Sequence, residues 1–197
     1  MAVDVFQNYR MDNQLGGLGM KIVILEGSPN KNGSSNYLAK EFIRGAEEAG
    51  HSVQIIDVAH ANLHPCTGCI HCGYEGPCVQ QDDIDEIRKK ILAADMMVFV
   101  TPLYYYGMSA QLKTLIDRFC AFNSSIQSKK MKSALLTVAW NSANWTFDAL
   151  EAHYKTLVRY LNLKDMGMVL GTGCGTLVMT QQSGFPKRAY ELGRKLS

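Results

Sequence analysis

An alternation of segment types restricts this chain more than any other feature. "KIVIL" (Lys21–Leu25) is short, β-branched and unbroken by polar residues, as a strand buried on both faces requires. Leu38, Phe42, Ala46 and Ala49 then recur at helical spacing, which predicts a helix over Ser35–Ala49 stopped by Gly50. "SVQIIDV" (Ser52–Val58), "DMMVFVTP" (Asp95–Pro102), "KSALLTVAW" (Lys132–Trp140) and "MGMVLG" (Met166–Gly171) read as four further strands. Helical segments fall between them. Ile84, Ile87 and Ile91 follow Asp82 and Asp83, both good helix caps. Leu112, Leu115, Ile116 and Phe119 mark another helix, and Phe147, Leu150, Tyr154, Leu157, Val158 and Leu161 form a clean stripe over Phe147–Leu161. Pro186–Leu196 is the closing helix.

Right-handed crossovers between successive strands put helices on both faces of a parallel sheet. The predicted fold is therefore α/β: a flavodoxin-like, doubly wound, five-stranded parallel sheet with helices on both faces. Ligands of such sheets bind outside the carboxyl ends of the strands, near the point where the strand order reverses. That directs attention to the loops after the first, third and fourth strands. A chain of 197 residues suits one domain, read here as residues 20–197. Residues 1–19 lack periodicity, end in "GGLG", and read as an N-terminal arm or extension.

A formal net charge of +2 gives no reason to expect nucleic acid or an anionic membrane as partner. No apolar run approaches the roughly 20 residues that span a bilayer. The N-terminal stretch lacks the basic-then-apolar order of a signal peptide, so the expected location is the cytoplasm. In a reducing compartment, clustered cysteines are more often metal ligands or redox groups than structural disulfides. Such a cluster is present at Cys66, Cys69, Cys72 and Cys78.

The loop after the first strand, "GSPNKNGSSN" (Gly27–Asn36), opens directly into a helix. Helix N-termini offer unpaired N–H groups and the positive end of the dipole, a natural phosphate site. Ser28, Ser34 and Ser35 add hydroxyls and Asn36 an amide. The plainer reading is a capped helix behind a polar turn. The glycine–lysine–serine ending of a P-loop is missing, and the spacing from Gly27 to Gly33 does not supply a dinucleotide fingerprint. Asp57 could mimic the ribose-binding acid of that second fold, and "GTGCGT" is a glycine match in the wrong place. A mononucleotide phosphate fits better.

The loop after the third strand begins "TPLYYYG" (Thr101–Gly107). Tyr104, Tyr105 and Tyr106 cluster where the sheet should open, and Gly107 would let backbone approach a flat ligand closely. An aromatic, backbone-lined slot suits a planar, mostly apolar ring; equally, the tyrosines could cover the end of the sheet.

"GSPNKNGSSN" together with "TPLYYYGMSAQLKTLIDRF" resembles the NADPH-dependent FMN reductase and flavodoxin-like oxidoreductase superfamily, from about Lys21 to the C-terminus. The resemblance implies FMN, with its phosphate at Ser28, Ser34, Ser35 and Asn36. The isoalloxazine would lie against Pro102, Leu103, Tyr104, Tyr105 and Gly107, with Trp140 and Asn141 of "WNSANW" on its other side. Within that superfamily the C-x2-C-x2-C-x5-C spacing resembles the compact motif of the iron–sulfur flavoproteins. Two-residue spacings let three cysteines wrap one face of a [4Fe–4S] cube while a longer arm brings the fourth. Zinc is a rival, with His71 a possible substitute ligand, and empty or disulfide-prone thiols are the third reading. Cys120, on a helix, and Cys174, near the fifth strand, read as core or incidental residues.

The expected function is an FMN-dependent oxidoreductase in which no side chain need act as acid or base. NAD(P)H or a ferredoxin-like protein would supply electrons and a small molecule such as a quinone would take them. The family further implies a homodimer or homotetramer. Two alternatives are a flavodoxin-type electron carrier, against which the slight positive charge argues, and a metal-binding redox sensor built on the cysteine loop.

Overall fold

A computed structural model describes residues 19–196; the arm expected at residues 1–19 lies outside them apart from its last residue. Five strands form one parallel sheet: β1 (Lys21–Glu26), β2 (Ser52–Asp57), β3 (Met96–Pro102), β4 (Lys132–Val138) and β5 (Lys164–Gly171), in the order β2-β1-β3-β4-β5. This is the doubly wound order expected, and it reverses between β1 and β3.

Alternation along each central strand divides the interior in two. Val23, Leu25, Met97, Phe99 and Leu135 face one core, with α2 (Ile84–Ala93), α3 (Ala110–Arg118), α4 (Asn123–Lys129) and α5 (Asp148–Tyr160). Ile22, Ile24, Met96, Val98, Ala134 and Leu136 face the other, under α1 (Ser34–Glu48) and α7 (Phe185–Arg194). A strand buried on both sides must be apolar at every position, which is why β1 and β3 read as unbroken runs.

Several local expectations are corrected. The helix marked by Leu112 to Phe119 ends at Arg118, and a 3-10 turn (Phe119–Phe122) and α4 follow before β4. A short helix, α6 (Leu177–Gln181), precedes α7. Both extra segments are too brief to show a full period in the sequence. Asp83 occupies the N-cap of α2 but makes no side-chain cap. Asp82 instead accepts the Ile84 N–H, at 3.2 Å, because its carboxylate is turned inward toward Arg118.

Candidate functional site

The loops after β1 and β3 straddle the switch point and are tied together. The Gly27 N–H donates to the Val100 carbonyl at 2.8 Å, and the Ser109 hydroxyl donates to the Gly27 carbonyl at 2.6 Å. A Cβ on Gly27 would stand 2.6 Å from the Leu112 Cβ, so only glycine lets α3 pack this close. The loop is thereby set by the core rather than by its own turns.

α1 begins without a side-chain cap and without an acidic residue in its first turn. Ser28, Ser35 and Asn36 are buried, and Ser34 is half-buried. The Ser28 hydroxyl is engaged within the loop, with the Asn30 N–H and carbonyl. The Ser35 hydroxyl and the Asn36 Oδ1 are buried without any partner. Buried polar atoms are rarely left so, and here they sit beside the free N–H groups of a helix end. An oxyanion answers the helix N–H groups and the Ser35 hydroxyl together, whereas the Asn36 Oδ1, itself an acceptor, calls for a donor instead.

Behind the loop, Glu26 accepts from the Asn36 amide at 3.2 Å. Burial first, then the Asp57 carboxylate, raises its carboxyl from 4.5 to about 7, against the opposing pull of Lys40 and Lys31. Sequence reasoning passed over Glu26, though an acid closing a buried strand was a signal.

After β3, the chain makes a two-residue hairpin. Tyr104 and Gly107 exchange both N–H···O bonds at 3.0 Å, and Tyr105 and Tyr106 take φ of 45° and 64°. The left-handed residues of the loop are these two tyrosines rather than Gly107, because a hairpin this tight demands positive φ at its central positions. Non-glycine residues there are strained, and such strain collects at functional sites. Tyr105 is fully exposed, so covering the sheet is not its task. The Tyr106 ring lies 5.1 Å from the Trp145 ring, joining this hairpin to the loop after β4. Trp140 is 71% exposed, yet a Cβ on Gly175 would fall 2.0 Å from its ring. One face of the indole therefore rests on the Gly175 backbone. The Asn141 side chain accepts from the Ala143 N–H and shapes the same turn. Pro102, Leu103, Tyr104, Tyr105, Gly107, Trp140 and Asn141 thus share the rim beside the α1 loop. Tyr106 and Trp145 belong with them.

The cysteines lie elsewhere on the same half of the molecule. Cys66, Cys69, Cys72 and Cys78 line one cavity of about 80 Å3 with Cys120 and Arg118. That is several times the roughly 10–15 Å3 needed by one water. Cys120, expected to be incidental, is corrected: it is exposed, sits in the 3-10 turn after α3, and forms part of the cavity wall. Cys174 is buried, as expected. The backbone N–H of His71, then its ring and the Thr67 hydroxyl, hold the Cys69 thiol down at about 7. The five cysteines give the cavity wall a concentration of soft sulfur donors, of the kind suited to iron–sulfur or zinc chemistry. Among the described residues no group of three His, Cys, Asp or Glu side chains is already gathered to hold a metal ion. No residue of the loops after β1, β3 or β4 lines this cavity.

Known proteins share the family and the fold of this chain. The NADPH-dependent FMN reductase family matches residues 20–174. An iron–sulfur flavoprotein of Methanocaldococcus jannaschii is 41% identical over 99 residues, 50% of this chain and 51% of the relative. The chain spans about half the length of the curated relatives of that kind it matches. A Bacillus subtilis protein named as an NAD(P)H-dependent FMN-containing oxidoreductase is 27% identical over 161 residues, 78% of this chain and 86% of the relative. Among solved structures, an NAD(P)H:quinone oxidoreductase from Methanothermobacter marburgensis superposes with a TM-score of 0.75 at 19% identity, over 91% of this chain and 96% of that one.

Proposed function

The chain belongs to the NADPH-dependent FMN reductase family, and on that footing we propose that it is an FMN-dependent oxidoreductase carrying a second redox centre in its cysteine loop. One observation carries the flavin assignment: the uncapped end of α1 holds a buried, unpartnered Ser35 hydroxyl. Ser28, Ser34, Ser35 and Asn36 take the FMN phosphate in this reading. The backbone of Pro102 and Leu103, the Tyr104–Gly107 hairpin and the Trp140–Asn141 turn hold the isoalloxazine. When bound, FMN supplies acceptance of a hydride and release of electrons singly or in pairs. The protein's part is to fix the phosphate, present the ring edge to backbone N–H groups, and keep water from one face. No side chain is assigned as acid or base.

Cys66, Cys69, Cys72 and Cys78 are the proposed ligands of a [4Fe–4S] cluster, supported by their shared cavity, their all-sulfur chemistry and the relatives that are named iron–sulfur flavoproteins. Such a cluster supplies one-electron exchange. The proposed donor is NAD(P)H, for which the B. subtilis relative is named, or a ferredoxin-like protein, and the acceptor is a small molecule such as a quinone. Among the described residues no helix is long and apolar enough to cross a membrane. The proposed setting is the reducing cytoplasm, as a homodimer or homotetramer, with the exposed Tyr105, Trp140 and Trp145 on the rim supporting a partner-covered site.

The test is anaerobic purification followed by an absorption spectrum, cofactor extraction and NAD(P)H oxidation with a quinone present. One FMN per chain and quinone-dependent NAD(P)H oxidation are expected. Protein that binds no FMN when saturated with it would overturn the reading. Bound FMN that no pyridine nucleotide reduces would leave an electron carrier.

A further inference from the structure

Arg118, at the C-terminal end of α3, is 1% exposed. Its Nη1 donates to Asp82 Oδ2 at 2.6 Å and to the His64 carbonyl at 2.7 Å, and its Nη2 donates to Asp82 Oδ1 at 3.1 Å. His64 precedes Cys66 and Asp82 follows Cys78, so one guanidinium joins the two ends of the cysteine loop. Asp82 also accepts the His64 N–H, at 3.0 Å, which closes the junction on itself.

That fork explains two of the three guanidinium nitrogens. The third, Nε, is buried with no acceptor. Arg118 lines the cysteine cavity, and the Cys78 side chain is one of its neighbours. A structural clamp needs no such spare donor, and a buried N–H without an acceptor is costly. A neutral thiol is a weak acceptor, whereas a thiolate bound to a metal centre keeps negative charge on sulfur and accepts well. The Arg118 charge is already answered by Asp82, so what Arg118 offers the cavity is a directed N–H rather than net charge.

We propose that Arg118 is the positioning residue of the cysteine centre: its fork closes the loop around the site, and its free Nε–H is held for a cysteine sulfur once the thiolates carry a metal centre. The ligand class is a thiolate-bound, net-anionic metal centre, and the inference rests on the cysteine reading given above. Partners outside the ligand set orient ligands and tune potential, and their loss typically weakens metal binding 10–100-fold.

Anaerobic reconstitution with iron and sulfide, compared between the unsubstituted protein, Arg118→Lys and Arg118→Gln, tests this. The unsubstituted protein should load fully. Both variants should bind the centre 10–100-fold more weakly, and whatever loads should have a more negative reduction potential, since a hydrogen bond to sulfur favours the reduced state. Lysine should not rescue, because it keeps the charge and lacks Nε. Loaded variants with the unsubstituted potential would overturn the proposal while leaving the cluster in place. An unsubstituted protein that takes up neither iron nor sulfide would overturn the cysteine reading itself. Should both variants fail to fold, pulsed electron paramagnetic resonance of the reduced centre decides, using 15N-arginine-labelled protein with Arg118 intact. An Arg88→Lys background removes the other nearby guanidinium, which reaches the Glu75 carbonyl. Coupling to an arginine nitrogen and an exchangeable proton is expected; their absence overturns the proposal.

Discussion

The loop after β1 and the loop after β2 leave the same edge of neighbouring strands, yet they are made rigid in opposite ways. In the first, Ser28, Ser35 and Asn36 are at most 3% exposed, and Gly27 is pinned to Val100 and Ser109. Its shape comes from the sheet and α3, so the vacant donors at the start of α1 are in place before any ligand arrives. The second is held at its ends, by Arg118 with His64 and Asp82, while Cys66 and Cys69 between them stay exposed. Its course is set by turns, with Ile70 and Tyr74 in left-handed conformations beside Gly68, Gly73 and Gly76. One region is fixed along its length by the core, and the other is fixed only where its ends meet. Binding to the first should depend on single polar atoms, and binding to the second on the complete set of thiols.

The largest contrast is expected from Cys72→Ala. Metal-linked folding of a loop is all-or-none when one ligand of four is lost. Iron and sulfide content after anaerobic reconstitution should fall from about four each per chain to near zero. FMN content should not change. Loss of both cofactors together would show that the two regions are one cooperative unit. Next is Ser35→Glu, which sets a carboxylate against the phosphate; at about 4 Å and an effective dielectric near 20, the repulsion is about 4 kcal/mol, or roughly a thousandfold in FMN affinity. Ser35→Ala separates the socket's cost from its use. The flavin-free protein should become more stable by about 1 kcal/mol, since a buried hydroxyl without a partner is gone, while FMN binding weakens about tenfold. Calorimetric titration beside a denaturant melt reads both, and a stability change of the opposite sign would remove Ser35 from the socket.

This division also decides what the sequence could disclose. The sheet was legible because two-sided burial forces continuous apolar runs, and the start of α1 because a polar turn ending in Gly33-Ser34-Ser35-Asn36 gives way there to apolar residues at helical spacing. Arg118 and Cys120 were not legible as site residues. They lie at the last residue of α3 and just after it, and only the packing of the cysteine loop onto the end of that helix brings them to Cys78 and Cys72; the Cys72 Sγ lies 3.7 Å from the Cys120 carbonyl oxygen. The one trace in the sequence was an arginine three residues after Leu115, on a helical face that otherwise carries core residues. Likewise Tyr106 and Trp145 meet across two loops, a pairing that spacing along the chain does not encode.

Glu26 tests how finished the first region is. Its carboxyl is raised from 4.5 to about 7, chiefly by burial and then by Asp57. The folded protein therefore holds this proton more tightly than the unfolded chain between those values. Stability should fall as pH rises through that window and level off above it. The full shift corresponds to about 3 kcal/mol; partial solvent access reduces the expected loss to about 2 kcal/mol. Glu26→Gln keeps an acceptor for the Asn36 amide and removes the titration. Denaturant melts of flavin-free protein from pH 4.5 to 8 should show the slope in the unsubstituted chain and its absence in the variant, which gains its advantage only at the upper end. Parallel slopes in the two proteins would mean that Glu26 is hydrated and that the loop base is open.

The smallest expected effect isolates the ring side of the socket. Gly107 has an ordinary φ, and a Cβ there would meet only the Tyr104 carbonyl oxygen, at 3.8 Å. Nothing in the protein itself requires glycine, and a β-branched residue suits the extended pairing with Tyr104. Gly107→Val should therefore leave the stability of flavin-free protein within about 0.5 kcal/mol. If the isoalloxazine lies against this hairpin, the added isopropyl group occupies the space into which the ring packs, and FMN affinity should fall about tenfold, near 1.4 kcal/mol. The altered contact should also change the flavin absorption envelope. The informative quantity is the difference between the two measurements. A binding loss with intact stability places the ring against the backbone at Gly107. Equal losses would point to a disturbed hairpin, and an affinity equal to that of the unsubstituted protein would assign Tyr104, Tyr105 and Tyr106 to some other partner than the flavin.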